Sequence, residues 1–448
     1  MNHFRYRIFF LFFMALAVKS IDMHAQGELV DLEAVVLQNP ATNVYSVGWC
    51  DECGYIAVGL SAPDLGTPDI IVYSFDKDTN TLTQVATANG SGQAVTSIAW
   101  SDDCSYLAAE YGSSEVIVYN FDTVNSLLIP IDTAVHGNDV RSVDWCDTSS
   151  FLAIGGDPSG GSGTNTTDIR VYSFDGSLLT QVATATHGQT VNSVAWCDGC
   201  NYLAIGGLRE NEEPGTPSVR VYDFNSLTLT LTQIDAINAG TIVYSVAWSD
   251  DCSYLAVNTS SALRVYSFDG ASLTLVTSES GGGRSVAWCD GHNYLAASVD
   301  GTDSVVVYEF DGMSLTDVVT KDLSNPIIWS LNWCNECEYL AVGANSDPSL
   351  IIYRSVYQQD APVLIKSSQR AFCFPTQMNL ANCVRWEPVD GALEYHVYTD
   401  EDLTNRLFTT RQPYFSHNCR KPCCEDTYYI VAAFSDGIES KVLTVTVP

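Results

Sequence analysis

Apolar and polar positions alternate in short runs along most of this chain, and the runs return in a fixed order. Ser193 to Gly207, SVAWCDGCNYLAIGG, shows the unit: an alternating run (SVAW), a four-residue polar turn (CDGC, or SDDC in other copies) and a second run (NYLAIGG). A variable loop, a third run of the type RVYSFD and a looser fourth such as LTQVAT complete it. Period-two alternation marks strands, and short apolar runs bounded by turn residues mark strands covered on both faces. Each unit is therefore expected to form a sheet of four strands.

Near-copies recur seven times between Ser46 and Gly343, anchored by Trp49, Trp100, Trp145, Trp196, Trp248, Trp288 and Trp333, at separations of 51, 45, 51, 52, 40 and 45 residues. A period near 45 suits units that stack or radiate. One such sheet cannot bury both faces, whereas seven set radially bury one another and leave only short protected edges. The pattern V-x-S-V-A-W-S/C-D-x-x-x-Y-L-A followed by I-R-V-Y resembles the WD40 repeat. That resemblance implies an all-β chain whose residues 28–358 form a seven-bladed β-propeller. Two features depart from it. Tyr73, Tyr119, Tyr172, Tyr222, Tyr266, Tyr308 and Tyr353 stand where WD40 repeats usually carry the Trp of Trp-Asp. The Gly-His pair survives only in reverse, as His136-Gly137 and His187-Gly188.

The ends complete the organisation. Leu32 to Leu37 (LEAVVL) reads as a strand with no unit before it, and the seventh unit stops after its third strand, SLIIYRSV. The N-terminal strand is expected to close the ring as the missing strand of blade seven. From Asp360 the repeat ends. Residues 361–448 contain CVRWEPVDGALEYHVYTD and TYYIVAAFSDGIESKVLTVTVP, which resemble a fibronectin type III domain and imply a small β-sandwich. This tail carries Cys373, Cys383, Cys419, Cys423 and Cys424, an odd number that leaves one thiol free or paired between chains.

Composition adds a compartment. Arg5 and Arg7 precede an apolar run from Ile8 to Val18, too short to span a bilayer, so residues 1–25 read as a signal peptide. Fifteen cysteines fit a secreted or periplasmic protein. Charge is lopsided: residues 27–360 hold 9 Lys/Arg against 42 Asp/Glu, and 361–448 hold 8 against 10. Such a surface excludes nucleic acid and anionic membranes as partners, since both need a basic footprint. The expectation is a soluble monomer without a cofactor.

Candidate chemistry starts with cysteine. Cys50/Cys53, Cys197/Cys200 and Cys334/Cys337 are CxxC pairs, but each lies between strands, without the helix N-terminus that thioredoxin-like redox chemistry uses. Cys104 and Cys252 are lone second positions, and Cys146 and Cys289 lone first positions. The expected pairing is Cys50–Cys53, Cys197–Cys200 and Cys334–Cys337 within turns, with Cys104–Cys146 and Cys252–Cys289 between blades. A zinc site of Cys50, Cys53, Cys334 and Cys337 is the weaker reading, because it leaves the CxxC of blade four without a counterpart. Seven serines (Ser46, Ser97, Ser142, Ser193, Ser245, Ser285, Ser330) recur in every unit and read as architectural rather than nucleophilic. The segment Asp157 to Asp168 has calcium-loop spacing without the required Gly, and reads as a plain loop. Asn89, Asn165 and Asn258 begin sequons.

Variation between units is more telling than repetition. Immediately before the seven serines stand Tyr45, Thr96, Arg141, Asn192, Tyr244, Arg284 and Trp329. The WD40 resemblance places these at the mouth of the central channel, on the partner-binding face. Three aromatics and two arginines are the composition of a binding hot spot. Long Gly/Pro-rich loops (60–69, 155–168, 206–218) are expected to open on the same face. The chain thus reads as an exported, non-catalytic module that binds or scaffolds a protein or a glycan. The competing class is a propeller hydrolase of lactonase type with a channel metal, for which the mouth offers only Asn192.

Overall fold

The computed structural model describes residues 28–447, apart from 41, 51–52, 62–66, 90–91, 147–149, 160–166, 209–215, 241, 290, 324–326, 335–336, 359–363, 375–376, 387–388, 390–391, 400–402, 405, 420–425, 434–439 and 441. The proposed signal peptide, Asn165, Cys423 and Cys424 lie outside the described residues.

The alternating runs become strands in the expected order. Blade one pairs Val44–Trp49, Tyr55–Leu60, Ile70–Asp76 and Thr81–Ala88 in sequence, all antiparallel. Five more sheets of four consecutive strands repeat the arrangement. The middle strands are buried on both faces and the outer ones on one, as the burial patterns iBBBBB and eieeiBiB of blade one show. Contacts between neighbouring inner strands run from blade to blade and return from blade seven to blade one. The protein is therefore an all-β, seven-bladed β-propeller.

Glu28–Gln38 is the outer strand of the seventh sheet, beside Leu350–Gln358. The clasp inferred from the sequence is thus the closure of the ring. Leu29 and Leu32 enter the core between blades six and seven, and Val36 that between blades seven and one. The Leu29 N–H donates to the Tyr294 hydroxyl at 3.0 Å.

Two repeated devices hold adjacent blades. The phenylalanines of the third strands (Phe75, Phe121, Phe174, Phe224, Phe268, Phe310) each lie against their own blade's Trp and an aromatic of the preceding blade. Phe121, for example, is 5.4 Å from Trp100 and 5.0 Å from Tyr55. Glycine in the second strand lets the next blade approach: a Cβ on Gly155 would meet Val191 at 2.6 Å, and one on Gly206 would meet Val243 at 2.4 Å. Tyr73, Tyr119, Tyr172, Tyr222, Tyr266 and Tyr308 of the third strands each follow a bulge in the pairing with the fourth strand, as at Val72/Tyr73 and Val171/Tyr172. A bulge strengthens local twist, and all seven blades keep their tyrosine buried.

The strands from Leu364 onward form a second compact unit. Leu364–Phe374, Gln377–Trp386 and Tyr414–Cys419 make one sheet; Arg406–Thr410, Glu394–Tyr398, Asp426–Ala433 and Leu443–Val447 make the other. Val384, Trp386, Tyr395, Val397, Tyr428, Ile430 and Val445 fill the core of this small β-sandwich.

Candidate functional site

Each inner strand runs from a mouth end, at the recurring serine, to a turn end, at the tryptophan. The serine ring fixes the register of all seven strands. The Ser46 hydroxyl accepts the Ile98 N–H, Ser97 that of Val143, Ser142 that of Val194 and Ser193 that of Val246, all at 3.1 Å. Ser245 accepts from Val286 at 3.3 Å, Ser285 from Leu331 at 2.9 Å, and Ser330 closes the circle with Val47 at 3.1 Å. The architectural reading holds, since every hydroxyl satisfies a backbone donor of the next blade.

At the turn end all ten propeller cysteines form disulfides, but not the pairs expected from the sequence. They join Cys50–Cys104, Cys53–Cys334, Cys146–Cys200, Cys197–Cys252 and Cys289–Cys337, with Cα atoms 5.4–5.6 Å apart. The first cysteine of a turn always bonds the second cysteine of the next blade. Backbone conformation explains the correction. The first cysteine continues the inner strand, whereas Cys53, Cys104, Cys200, Cys252 and Cys337 all adopt positive φ, between 55° and 60°. Left-handed backbone re-aims the second side chain, and it meets the preceding blade rather than its own turn partner. Cys50–Cys53, Cys197–Cys200, Cys334–Cys337, Cys104–Cys146 and Cys252–Cys289 are therefore not bonded pairs. The sulfurs of the four-thiolate zinc reading are likewise engaged in Cys50–Cys104, Cys53–Cys334 and Cys289–Cys337. Among the described residues, the junctions between blades two and three and between blades five and six carry no disulfide. There Ser101 and Ser249 occupy the first position and donate to Asp103 and Asp251, both at 2.8 Å.

The mouth residues divide into two groups. On blades five, six, seven and one, four of them form a continuous stack. The Arg284 guanidinium lies 5.2 Å from the Tyr244 ring and 4.6 Å from the Trp329 ring, and Trp329 meets Tyr45 at 4.9 Å, tilted by 57°. Asp300 flanks the arginine, 3.6 Å from its Nε, and burial raises the carboxyl's pKa. Such ring–guanidinium contacts stabilise by about 0.5–1 kcal/mol each when partly exposed.

The remaining three stand apart. Arg141 pairs with Asp157 at 3.2 Å. The Asn192 amide donates to the Val243 carbonyl at 2.8 Å. Thr96 binds Glu110 through both its N–H and its hydroxyl. Glu110 stands where blades one, three, four and seven have Gly59, Gly155, Gly206 and Gly343. It is fully buried, and desolvation pushes its carboxyl up to about 7 against the hydrogen bonds from Thr96 and Gly112.

Asn258 and Ser298 take the same position in blades five and six. The Asn258 amide donates to the carbonyls of Ser285 and Ser298 at 3.0 and 3.1 Å, so this buried sequon asparagine is a blade-to-blade tie. The break in the Tyr-Leu-Ala-x-Gly pattern was the sequence signal for all three residues. Asn89, by contrast, is exposed.

Asp168, at the end of the calcium-spaced segment, is buried and accepts the N–H groups of His187 and Gly188, both at 2.6 Å. Burial pushes the His187 imidazole down to about 4, and its Nε2 faces the Leu208 carbonyl at 2.7 Å. Both groups are thus structural. Among the described residues no group of three or more His, Cys, Asp or Glu side chains is placed to hold a metal ion.

The fold is a seven-bladed β-propeller with five blade-to-blade disulfides and, at the serine end of its inner strands, a stack of three aromatic rings and one arginine. The sequence matches no protein-family model and no curated protein. Among solved structures it is similar to the β-propeller domain of Cps50 (Swd1) from Myceliophteria thermophila, with a TM-score of 0.57 and 13% identity over 72% of this chain and 100% of that one. That likeness establishes the propeller fold.

Proposed function

We propose that the chain is an exported, non-catalytic module that binds a protein partner through the propeller mouth. The observation that carries this reading is the stack of Tyr244, Arg284, Trp329 and Tyr45, a cation between two half-buried rings with a third ring packed against one of them. Rigid aromatics and arginine dominate the energetics of protein interfaces. On three of the four blades the connections beside the stack are short: Ser260–Ser261, Asp300–Asp303 and Asn345–Ser349 join the second and third strands of blades five, six and seven, whereas that of blade one runs over residues 61–69. A large partner can therefore reach the stack. Membership of the WD40 repeat class is supported by the motif and by the propeller likeness.

Five disulfides favour an oxidising compartment, in line with the signal-like N-terminus. Among the described residues no helix is long and apolar enough to cross a membrane. The sandwich, with three strands facing four, supports a fibronectin type III-like domain over 361–448 that serves as spacer or second adhesive surface.

The test replaces Tyr45, Arg141, Tyr244, Arg284 and Trp329 together with alanine. Partners crosslinked to the full-length protein in its native exported fraction should be lost while the melting transition stays cooperative. Recovery of the same partners at the same yield overturns the mouth as the binding surface.

A further inference from the structure

Arg284 differs from the other described arginines of the propeller, Arg141, Arg170, Arg220, Arg264 and Arg354, each of which donates a hydrogen bond. Arg170 donates from Nε and one terminal nitrogen to the His136 carbonyl, and from the other to Gln181. Arg220 is held in the same way by His187 and Gln233. In Arg264 a terminal nitrogen donates to the Ala239 carbonyl at 2.6 Å. The Arg284 guanidinium makes no hydrogen bond among the described residues. Its Nε is enclosed beside Asp300, and its terminal nitrogens open to solvent. The Tyr244 and Trp329 rings pack against the guanidinium, with centroids 5.2 and 4.6 Å from its carbon, so the terminal nitrogens are what remains for a ligand.

The surroundings hold that edge in place. Gly282 and Gly283 lead into Arg284 through a passage with no room for a side chain: a Cβ on Gly282 would lie 1.8 Å from the Thr259 carbonyl oxygen, and one on Gly283 2.0 Å from that of Ser298. The Gly283 N–H donates to Asn258 at 3.0 Å and the Arg284 N–H to the Ser298 hydroxyl at 2.9 Å. Asn258 and Ser298, the two polar departures from glycine on blades five and six, thus anchor the backbone that presents the arginine. A planar fork of donors fixed in this way matches a carboxylate in a bidentate pair, and little entropy is lost on binding.

We propose that the terminal nitrogens of Arg284 are a receptor for a carboxylate of the partner protein, with Trp329 and Tyr45 as the ring platform beside it. The proposal rests on the mouth being the binding surface and names the chemistry that it recognises. The acidic surface of the propeller opposes an anionic partner at long range, but such fields fade within about 8 Å at physiological salt. The contact itself is short-range and directional. It selects a single exposed carboxylate, an acidic side chain or a chain terminus, over a broadly acidic surface.

The experiment titrates the full-length protein with benzoate and with benzamide, its uncharged isostere, by NMR saturation transfer. Arg284→Lys keeps the charge without the fork, and Arg284→Gln removes both. Benzoate is expected to bind saturably and ~10-fold or more tighter than benzamide, and both substitutions to erase that preference without lowering the melting temperature. Equal affinity for the two probes, no saturable benzoate binding, or a preference that survives Arg284→Lys overturns the proposal. If a substitution lowers the melting temperature, the comparison of probes on the unsubstituted protein decides. The mouth reading falls separately, when partner crosslinking survives the fivefold alanine replacement.

Discussion

The two ends of the propeller solve opposite problems with the same seven strands. At the turn end the chain repeats itself, and similar turns place cysteines so that five of the seven blade junctions are bonded by one rule. At the mouth end the residues before the serines are of five different types, and four of the residues assemble into one stack across blades five, six, seven and one. Repetition builds the ring, and departures from it build the site. Glu110, Asn258 and Ser298 make the same point within the second strands. Each replaces or extends a glycine pattern with a polar side chain, and two of them support the arginine of the mouth.

Perturbing the architectural end should cost the most stability. Deleting Glu28–Gln38 strips Leu29, Leu32 and Val36 from two interblade cores. At about 1.5–3 kcal/mol for each buried side chain, the loss should exceed about 5 kcal/mol and abolish a single cooperative melt. An unchanged melting temperature would rule out the clasp as a closure element. Next comes the ring-closing disulfide. Replacing Cys53 and Cys334 with serine frees a loop of 281 residues and should lower the stability measured by guanidinium unfolding by about 5–6 kcal/mol in the chain-entropy model. Removing Cys50–Cys104, which closes only 54 residues, should cost about 1.5 kcal/mol less.

Glu110 gives an effect that depends on pH. Its folded pKa of about 7 lies above its ordinary 4.5, so the folded state retains a proton that the unfolded chain releases. Its contribution is most favourable below pH 4.5 and declines as pH rises to 7, by on the order of 3 kcal/mol. Glu110→Gln should therefore gain on the unsubstituted protein between pH 5 and pH 7.5. A difference in stability that stays constant across that range would contradict the account. Ser193→Ala removes one link of the hydroxyl ring and leaves the Val246 N–H unsatisfied, a loss of about 1–2 kcal/mol in denaturant unfolding. The smallest effect on stability belongs to the mouth. Arg284→Gln should shift unfolding by less than about 1 kcal/mol, because its ring contacts and its ion pair with Asp300 are partly exposed.

Much of this was legible before any coordinates. Strand order, blade number, the clasp and the serine ring follow from a motif repeated often enough that no local accident can hide it. The cysteine pairing did not follow. The sequence shows which turn positions hold cysteine, but the direction of each side chain depends on the positive φ of the second residue, which no residue name reveals. The mouth was legible as a set and not as an arrangement. Tyr45, Tyr244, Arg284 and Trp329 meet because ring closure brings blades seven and one together, whereas Thr96, Arg141 and Asn192 turn to Glu110, Asp157 and Val243. Asp300 was missed because its importance comes only from lying beside Arg284.

Mapping the disulfides of non-reduced, alkylated protein by mass spectrometry tests the central claim most directly, since the blade-to-blade rule follows from the ring itself. The account predicts peptides joined through Cys50–Cys104, Cys53–Cys334, Cys146–Cys200, Cys197–Cys252 and Cys289–Cys337. Bonds within the turns, such as Cys197–Cys200, or free thiols at these ten positions would contradict it.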